Sequence, residues 1–218
     1  MFQKPELPLP SPVTSISSTS SPTYLTPRGH IECICGPMFS GKTTELIRRL
    51  KRCEIGGLKV LCLKSSKDTR TKNAEFLSRD GPTYNASVIH IPLPTYLRNE
   101  MVSLMSYDVI GIDEGQFFSD IASFANDLAN MGKIIIVAAL DTDFQGTSFP
   151  AISELITQAE IVLKLTAICG CGHEASRTMR VNSTSKELFV VGGEDIYRAA
   201  CRQCFSKYHN PSSNTPSS

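Results

Sequence analysis

The chain has 218 residues, 41% of them hydrophobic, eight cysteines and a formal net charge of +1. That is one domain, or one with a small appendage, with ample apolar material for a packed core. A charge so near zero argues against wrapping nucleic acid by electrostatics, and no apolar run approaches the length of a membrane span.

Residues 1–28 hold sixteen Ser, Thr or Pro and no apolar periodicity. Such a stretch cannot bury enough surface to fold, so a disordered, solvated tail is expected. Lys4 and Arg28 are too few cations for a mitochondrial presequence. No secretory leader is expected, and Cys33, Cys35, Cys53 and Cys62 fall in ordinary strand and helix stretches. This points to a reducing compartment, with the late cysteines reserved for metal.

Residues 31–35 read as a short apolar strand. Gly36-Pro37-Met38-Phe39-Ser40-Gly41-Lys42-Thr43 follows and fits G-x-x-x-x-G-K-[ST] without a mismatch. A helix then starts at Thr43, with Leu46, Ile47, Leu50 and Cys53 on one face and Gly56 to end it. Strand, glycine loop and helix is the setting in which this pattern binds phosphate. Backbone N–H groups and the positive end of the helix would face phosphate oxygens. Lys42 would neutralise the β and γ phosphates, and the Thr43 hydroxyl would hold Mg²⁺.

A second strand is predicted over 59–64, followed by the polar run 65–70. Ligands bind at the C-terminal edge of an open parallel sheet, so Asp68 and Arg70 are either site residues or part of an ordinary exposed loop. Residues 72–87 read as irregular and 88–91 as a strand. Leu93, Leu97, Met101, Leu104 and Met105 mark a helix face. The strand predicted over 107–112 runs into Asp113-Glu114-Gly115-Gln116-Phe117-Phe118. An apolar strand ending in Asp is the second nucleotide motif of phosphate-loop proteins, where the Asp helps hold Mg²⁺. Glu114 beside it is placed to take a proton from an attacking hydroxyl.

Ser119 reads as the N-cap of a helix bearing Ile121, Phe124, Leu128 and Met131, closed by Gly132. The aliphatic run 133–140 reads as a strand buried on both faces. The alternation of strand and helix predicts a doubly wound parallel α/β sheet. Phe144 and Phe149, in and just beyond the loop 141–148, either stack on a base or belong to the core. A short helix with Ile152, Leu155 and Ile156 precedes a strand over 160–168. Cys169-Gly170-Cys171-Gly172-His173 and Cys201-Arg202-Gln203-Cys204 flank strand-like stretches at 177–181 and 187–191. Two tight cysteine pairs suggest a structural zinc ribbon, since Zn²⁺ takes four soft ligands in a tetrahedron. The first pair has an unusual one-residue gap, which leaves His173 as an alternative to Cys171. A second disordered tail is expected from His209 onward.

Two other classes fit less well. A GTP switch would carry an Asn-Lys-x-Asp stretch, which is missing, and a nucleic-acid remodeller would need a basic stripe that 22 basic against 21 acidic residues does not supply.

The glycine loop with Thr44-Glu45-Leu46, Lys67-Asp68-Thr69-Arg70, Gly111-Ile112 through Phe118, Val137-Ala138-Ala139-Leu140-Asp141 and the cysteine pairs together resemble thymidine kinases of the cytosolic, zinc-containing type. The resemblance runs over residues 31–208. It implies a recombinase-like, phosphate-loop ATP-binding domain over 29–166 and a small zinc-binding domain over 167–208 whose lasso loop closes over the nucleoside. The implied reaction moves the γ-phosphoryl of ATP to the 5′-hydroxyl of deoxythymidine. Glu114 would be the general base, Lys42, Thr43 and Asp113 would manage phosphates and Mg²⁺, and Asp68, Arg70, Gly115 and Gln116 would join the glycine loop in binding ATP. Met38, Phe117, Leu140, Phe144 and Phe149 would enclose the thymine. Thr178, Leu188, Val190 and Tyr197 would lie on or beside the lasso. Cys169, Cys171, Cys201 and Cys204 would hold zinc. The resemblance further implies a cytoplasmic homotetramer inhibited by dTTP, with no nucleic-acid or membrane partner.

Overall fold

A computed structural model describes residues 29–67, 75–77, 83–90, 93–181, 193 and 195–209. The expected tail over 1–28, the second expected tail beyond His209, Asp68, Arg70, Leu188, Val190 and the strand predicted over 187–191 lie outside these residues. In chain order the elements are β1 (His30–Cys35), α1 (Lys42–Ile55), β2 (Val60–Ser65), β3 (Glu75–Leu77), β4 (Thr83–Asn85), β5 (Ser87–Ile89), α2 (Leu93–Met105), β6 (Val109–Asp113), a 3-10 turn (Gly115–Phe117), α3 (Ile121–Asn130), β7 (Ile134–Ala139), α4 (Pro150–Gln158), β8 (Ile161–Lys164), β9 (Ala167–Ile168), β10 (Glu174–Ala175), β11 (Arg177–Arg180), β12 (Tyr197–Ala200) and α5 (Arg202–His209).

Six strands form one parallel sheet in the order β5-β2-β6-β7-β1-β8. The sheet is wound on both faces, as the sequence predicts. Alternate residues of each strand enter different cores. Ile31, Cys33, Cys35, Ile135, Val137 and Ala139 pack with α2, α3 and α4. Ile34, Ile134, Ile136 and Ala138 pack against Leu46, Ile47 and Leu50 of α1. Registers of His30 with Ile134 and of Cys35 with Ala139 bring β1 and β7 to a common C-terminal edge. Because β7 lies between β1 and β6, the loops after all three strands meet there.

Several predicted boundaries shift. β3 and β4 pair antiparallel inside the stretch read as irregular, each too short for an alternation to be legible. The single strand expected over 160–168 is two. Leu165 N–H donates to Cys35 O at 2.8 Å, the last rung on β1, and the chain then leaves the sheet so that β9 pairs with β10. The residue at the N-cap of α3 is Asp120 rather than Ser119, because the 3-10 turn carries the chain one residue further before the helix winds. Both residue types cap helices, so local sequence does not choose between them. α5 is an unpredicted helix that takes in His209, whose ring lies 4.4 Å from that of Phe205 one turn earlier.

Candidate active site

The glycine loop leaves β1 at Gly36, where φ is +143°. A Cβ there would sit 2.4 Å from the backbone oxygen of Leu165. Gly36→Ala is therefore expected to destabilise the fold by about 1–3 kcal/mol, the usual cost of a strained backbone residue. Chemical denaturation would measure it, and unchanged stability would show that the loop can shift to make room. The loop closes on itself through Ser40 Oγ donating to Pro37 O at 2.8 Å and Lys42 Nζ donating to the same oxygen at 2.7 Å. Gly41, with φ +82°, then starts α1. Lys42 is buried at the first turn, where the helix's positive end and its ammonium act together on an anion.

β6 delivers the acids. Asp113 is 2% exposed. Its carboxylate accepts from Thr43 Oγ1 in the first turn of α1, with oxygens at 3.1 and 3.2 Å. Hydroxyl and carboxylate oxygen in contact beside a phosphate loop suit a hard cation such as Mg²⁺. Lys64 stands opposite Asp113 in register on β2 and is 1% exposed. Nothing local in the sequence marks this buried cation, which reads as the polar end of a strand. Glu114 takes the left-handed conformation, φ +52°, which aims it away from the strand direction. Gln116, expected in the ATP-binding set, donates Nε2 to Glu114 Oε2 at 2.5 Å and accepts from Leu140 N–H at 3.0 Å.

The residues expected around a base gather at the same edge only in part. Met38 belongs to the glycine loop, and its N–H donates to Thr178 Oγ1 on β11 at 2.9 Å. Leu140 and Phe117 are half-buried after β7 and in the 3-10 turn. Phe149 packs in the larger core next to α4. Phe144 is capped by the guanidinium of Arg180, 3.8 Å from the ring centroid, and Arg180 Nη2 donates to Tyr197 OH at 3.1 Å. Arg180 escaped the sequence reading, since a lone arginine in a short strand gives no signal of what it covers.

Beyond the sheet, Cys169, Cys171, Cys201 and Cys204 bring their sulfurs within 4.8 Å of one another. Cys171 Sγ lies 3.6 Å from those of Cys201 and Cys204. Tetrahedral zinc with Zn–S bonds of about 2.3 Å sets its sulfurs about 3.8 Å apart, so the group fits. The one-residue gap does not prevent convergence, because Gly172 N–H bonds back to Cys169 O in a turn with φ +86°. His173 stands outside, with Nδ1 3.5 Å from Cys171 Sγ. Backbone N–H groups of Cys171 and Cys201 hold the Cys169 thiol down to about 6. Hydrogen bonds with Cys171, Cys201 and Cys169, and then burial, push the Cys204 thiol up to about 12. Phe39 of the glycine loop packs against the small core of this unit.

A family model described as thymidine kinase matches residues 29–205. The cytosolic thymidine kinase of Homo sapiens is 48% identical over 182 residues, covering 83% of this chain and 74% of its own. The thymidine kinase of raccoon poxvirus is 46% identical over 178 residues, covering 81% of this chain and 97% of its own. Thymidine kinase 1 of Dictyostelium discoideum is 43% identical over 192 residues, covering 86% and 82%.

Proposed function

The chain belongs to the thymidine kinase family, whose members phosphorylate thymidine in nucleotide salvage, and on that premise we propose that it moves the γ-phosphoryl of ATP onto the 5′-hydroxyl of deoxythymidine at the shared edge of β1, β6 and β7. The observation that carries this reading is the contact of Thr43 with Asp113 at 3.1 Å, with Glu114 the next residue. It puts a phosphate cradle, a cation site and a proton acceptor at one place.

The Gly36–Thr43 loop would bind the β and γ phosphates through backbone N–H groups and Lys42. Thr43 and Asp113 would hold Mg²⁺, which when bound neutralises charge on the phosphate oxygens. Glu114 would take the proton of the 5′-hydroxyl as its oxygen bonds to the γ-phosphorus. The bond from that phosphorus to the β–γ bridging oxygen then breaks, and ADP leaves with the electron pair. Asp68 and Arg70 would act near the reacting phosphates, as the resemblance implies. Met38, Phe117, Leu140, Phe144, Phe149, Thr178 and Tyr197 would form the nucleoside seat, with Leu188 and Val190 on the lasso. Arg180 supports this by backing the Phe144 ring with a planar cation. The four cysteines would hold one structural Zn²⁺.

The same reading takes the protein as a cytoplasmic homotetramer inhibited by dTTP. Among the described residues no helix is long and apolar enough to cross a membrane. A nucleoside panel with labelled ATP tests the reaction. Labelled monophosphate is expected from deoxythymidine and, at some rate, from deoxyuridine, whose base presents the same N–H between two carbonyls. ATP hydrolysis indifferent to nucleoside would overturn the proposal.

A further inference from the structure

We propose that Gln116 is a positioning residue for Glu114: its side-chain amide bridges the ends of β6 and β7 and fixes the carboxylate relative to the nucleoside seat. The inference rests on the reading of Glu114 as the base. Gln116 is 8% exposed, and its amide has one orientation only. Leu140 N–H can only donate, so the amide atom 3.0 Å from it is the oxygen. The nitrogen therefore faces Glu114 Oε2, at 2.5 Å. A charge-assisted bond of this kind tethers one carboxylate oxygen strongly. The proton of the 5′-hydroxyl would then be taken at Oε1.

The turn that carries Gln116 has little freedom of its own. Phe117 N–H bonds Glu114 O at 3.1 Å, and Phe118 N–H bonds Gly115 O at 3.0 Å. Gly115 lies so close to β7 that a Cβ would meet Val137 Cγ1 at 2.6 Å. Glu114 in its left-handed conformation has a strained backbone, and strain of this kind persists only where the surroundings fix it. The far end of the bridge is the backbone of Leu140, itself part of the proposed seat. One amide thus spans the distance between the proton acceptor and the wall that locates the nucleoside. Gln116 acts through Glu114 and does not itself touch the reacting atoms.

The test is a double-mutant cycle on the full chain. Gln116→Met keeps the volume and removes both bonds. Its kcat is expected to fall about 10- to 100-fold, since a misplacement of about 1 Å can cost 10²-fold. The KM for deoxythymidine should stay within about twofold and the zinc content unchanged, while the Leu140 N–H left without its acceptor lowers the melting temperature by a few degrees. In a Glu114→Gln background there is no base to orient, so adding Gln116→Met should change kcat by less than about twofold. Gln116→Glu keeps the acceptor for Leu140 N–H but sets a second carboxyl against Glu114, so that the pair shares a proton and the free base is lost, and kcat should fall as in the methionine variant. Should Gln116→Met fail to fold, Gln116→Glu carries the same comparison. Wild-type kcat in the folded variants, a loss confined to KM, or an additive loss in the Glu114→Gln background would overturn the proposal. A Glu114→Gln enzyme with normal turnover would instead remove the base reading on which it stands.

Discussion

Glu114→Gln is expected to lower turnover by about 10²–10⁴-fold, the range positioned proton transfer contributes, while both substrates still bind. The substitution is nearly isosteric, and its amide oxygen can still accept from Gln116, so the turn should hold its shape. What is lost is the capacity to receive a proton. Asp113 cannot stand in, because it is 2% exposed and its carboxylate is engaged by Thr43. Steady-state turnover with labelled ATP, set beside calorimetric binding of each substrate, reads the effect. If the folded variant turns over at a near-normal rate, Glu114 is not the base. If binding is lost instead, its role is in substrate affinity.

The second large effect concerns the cysteines. Cys171→Ser is expected to take zinc from about one per chain to well below that, and to abolish detectable phosphorylation of deoxythymidine. A structural zinc site carries about 10–16 kcal/mol of apparent binding energy that is also folding energy. Without it the hairpins β9–β10 and β11–β12 would rest on a small core of Ala167, Cys169, Ala175, Ala199 and Cys201. β11 carries Thr178 and Arg180, which reach the glycine loop and Phe144. His173→Ala should keep its zinc, since the four sulfurs within 4.8 Å of one another are enough ligands for a tetrahedral site without it. Elemental analysis with activity measured on the same samples decides between them. Full zinc and full activity in Cys171→Ser, or zinc lost in His173→Ala, would reverse the ligand assignment.

Chemistry tied to local spacing was legible in the chain. Gly36 to Thr43 could be read because a strand, a tight loop and a helix each leave a short-range pattern, and β7 could be read because burial on both faces makes a strand wholly aliphatic. Asp113 and Glu114 were legible for the same reason, as acids where an apolar run stops. What escaped depends on partners distant in the chain. Nothing around Arg180 announces Phe144, and nothing around Gln116 announces the Leu140 amide. The spacing of Cys169 and Cys171 leaves Cys171 and His173 as alternatives, and it is the turn at Gly172, with the distant Cys201 and Cys204, that gathers the four sulfurs. Ser119 reads as the cap because the 3-10 turn that moves the helix start on to Asp120 leaves no local pattern.

The glycine loop leans on the cysteine-bearing unit twice, through the Met38 N–H on Thr178 and through Phe39 against the small core. Chimaeras joined near Thr166, taking the sheet from this chain and the cysteine unit from a relative, would therefore have to inherit both halves of these contacts together. Grafting either half alone would leave a phosphate cradle without its outer strut. For this protein, the unit of exchange is the whole stretch from β1 to α5.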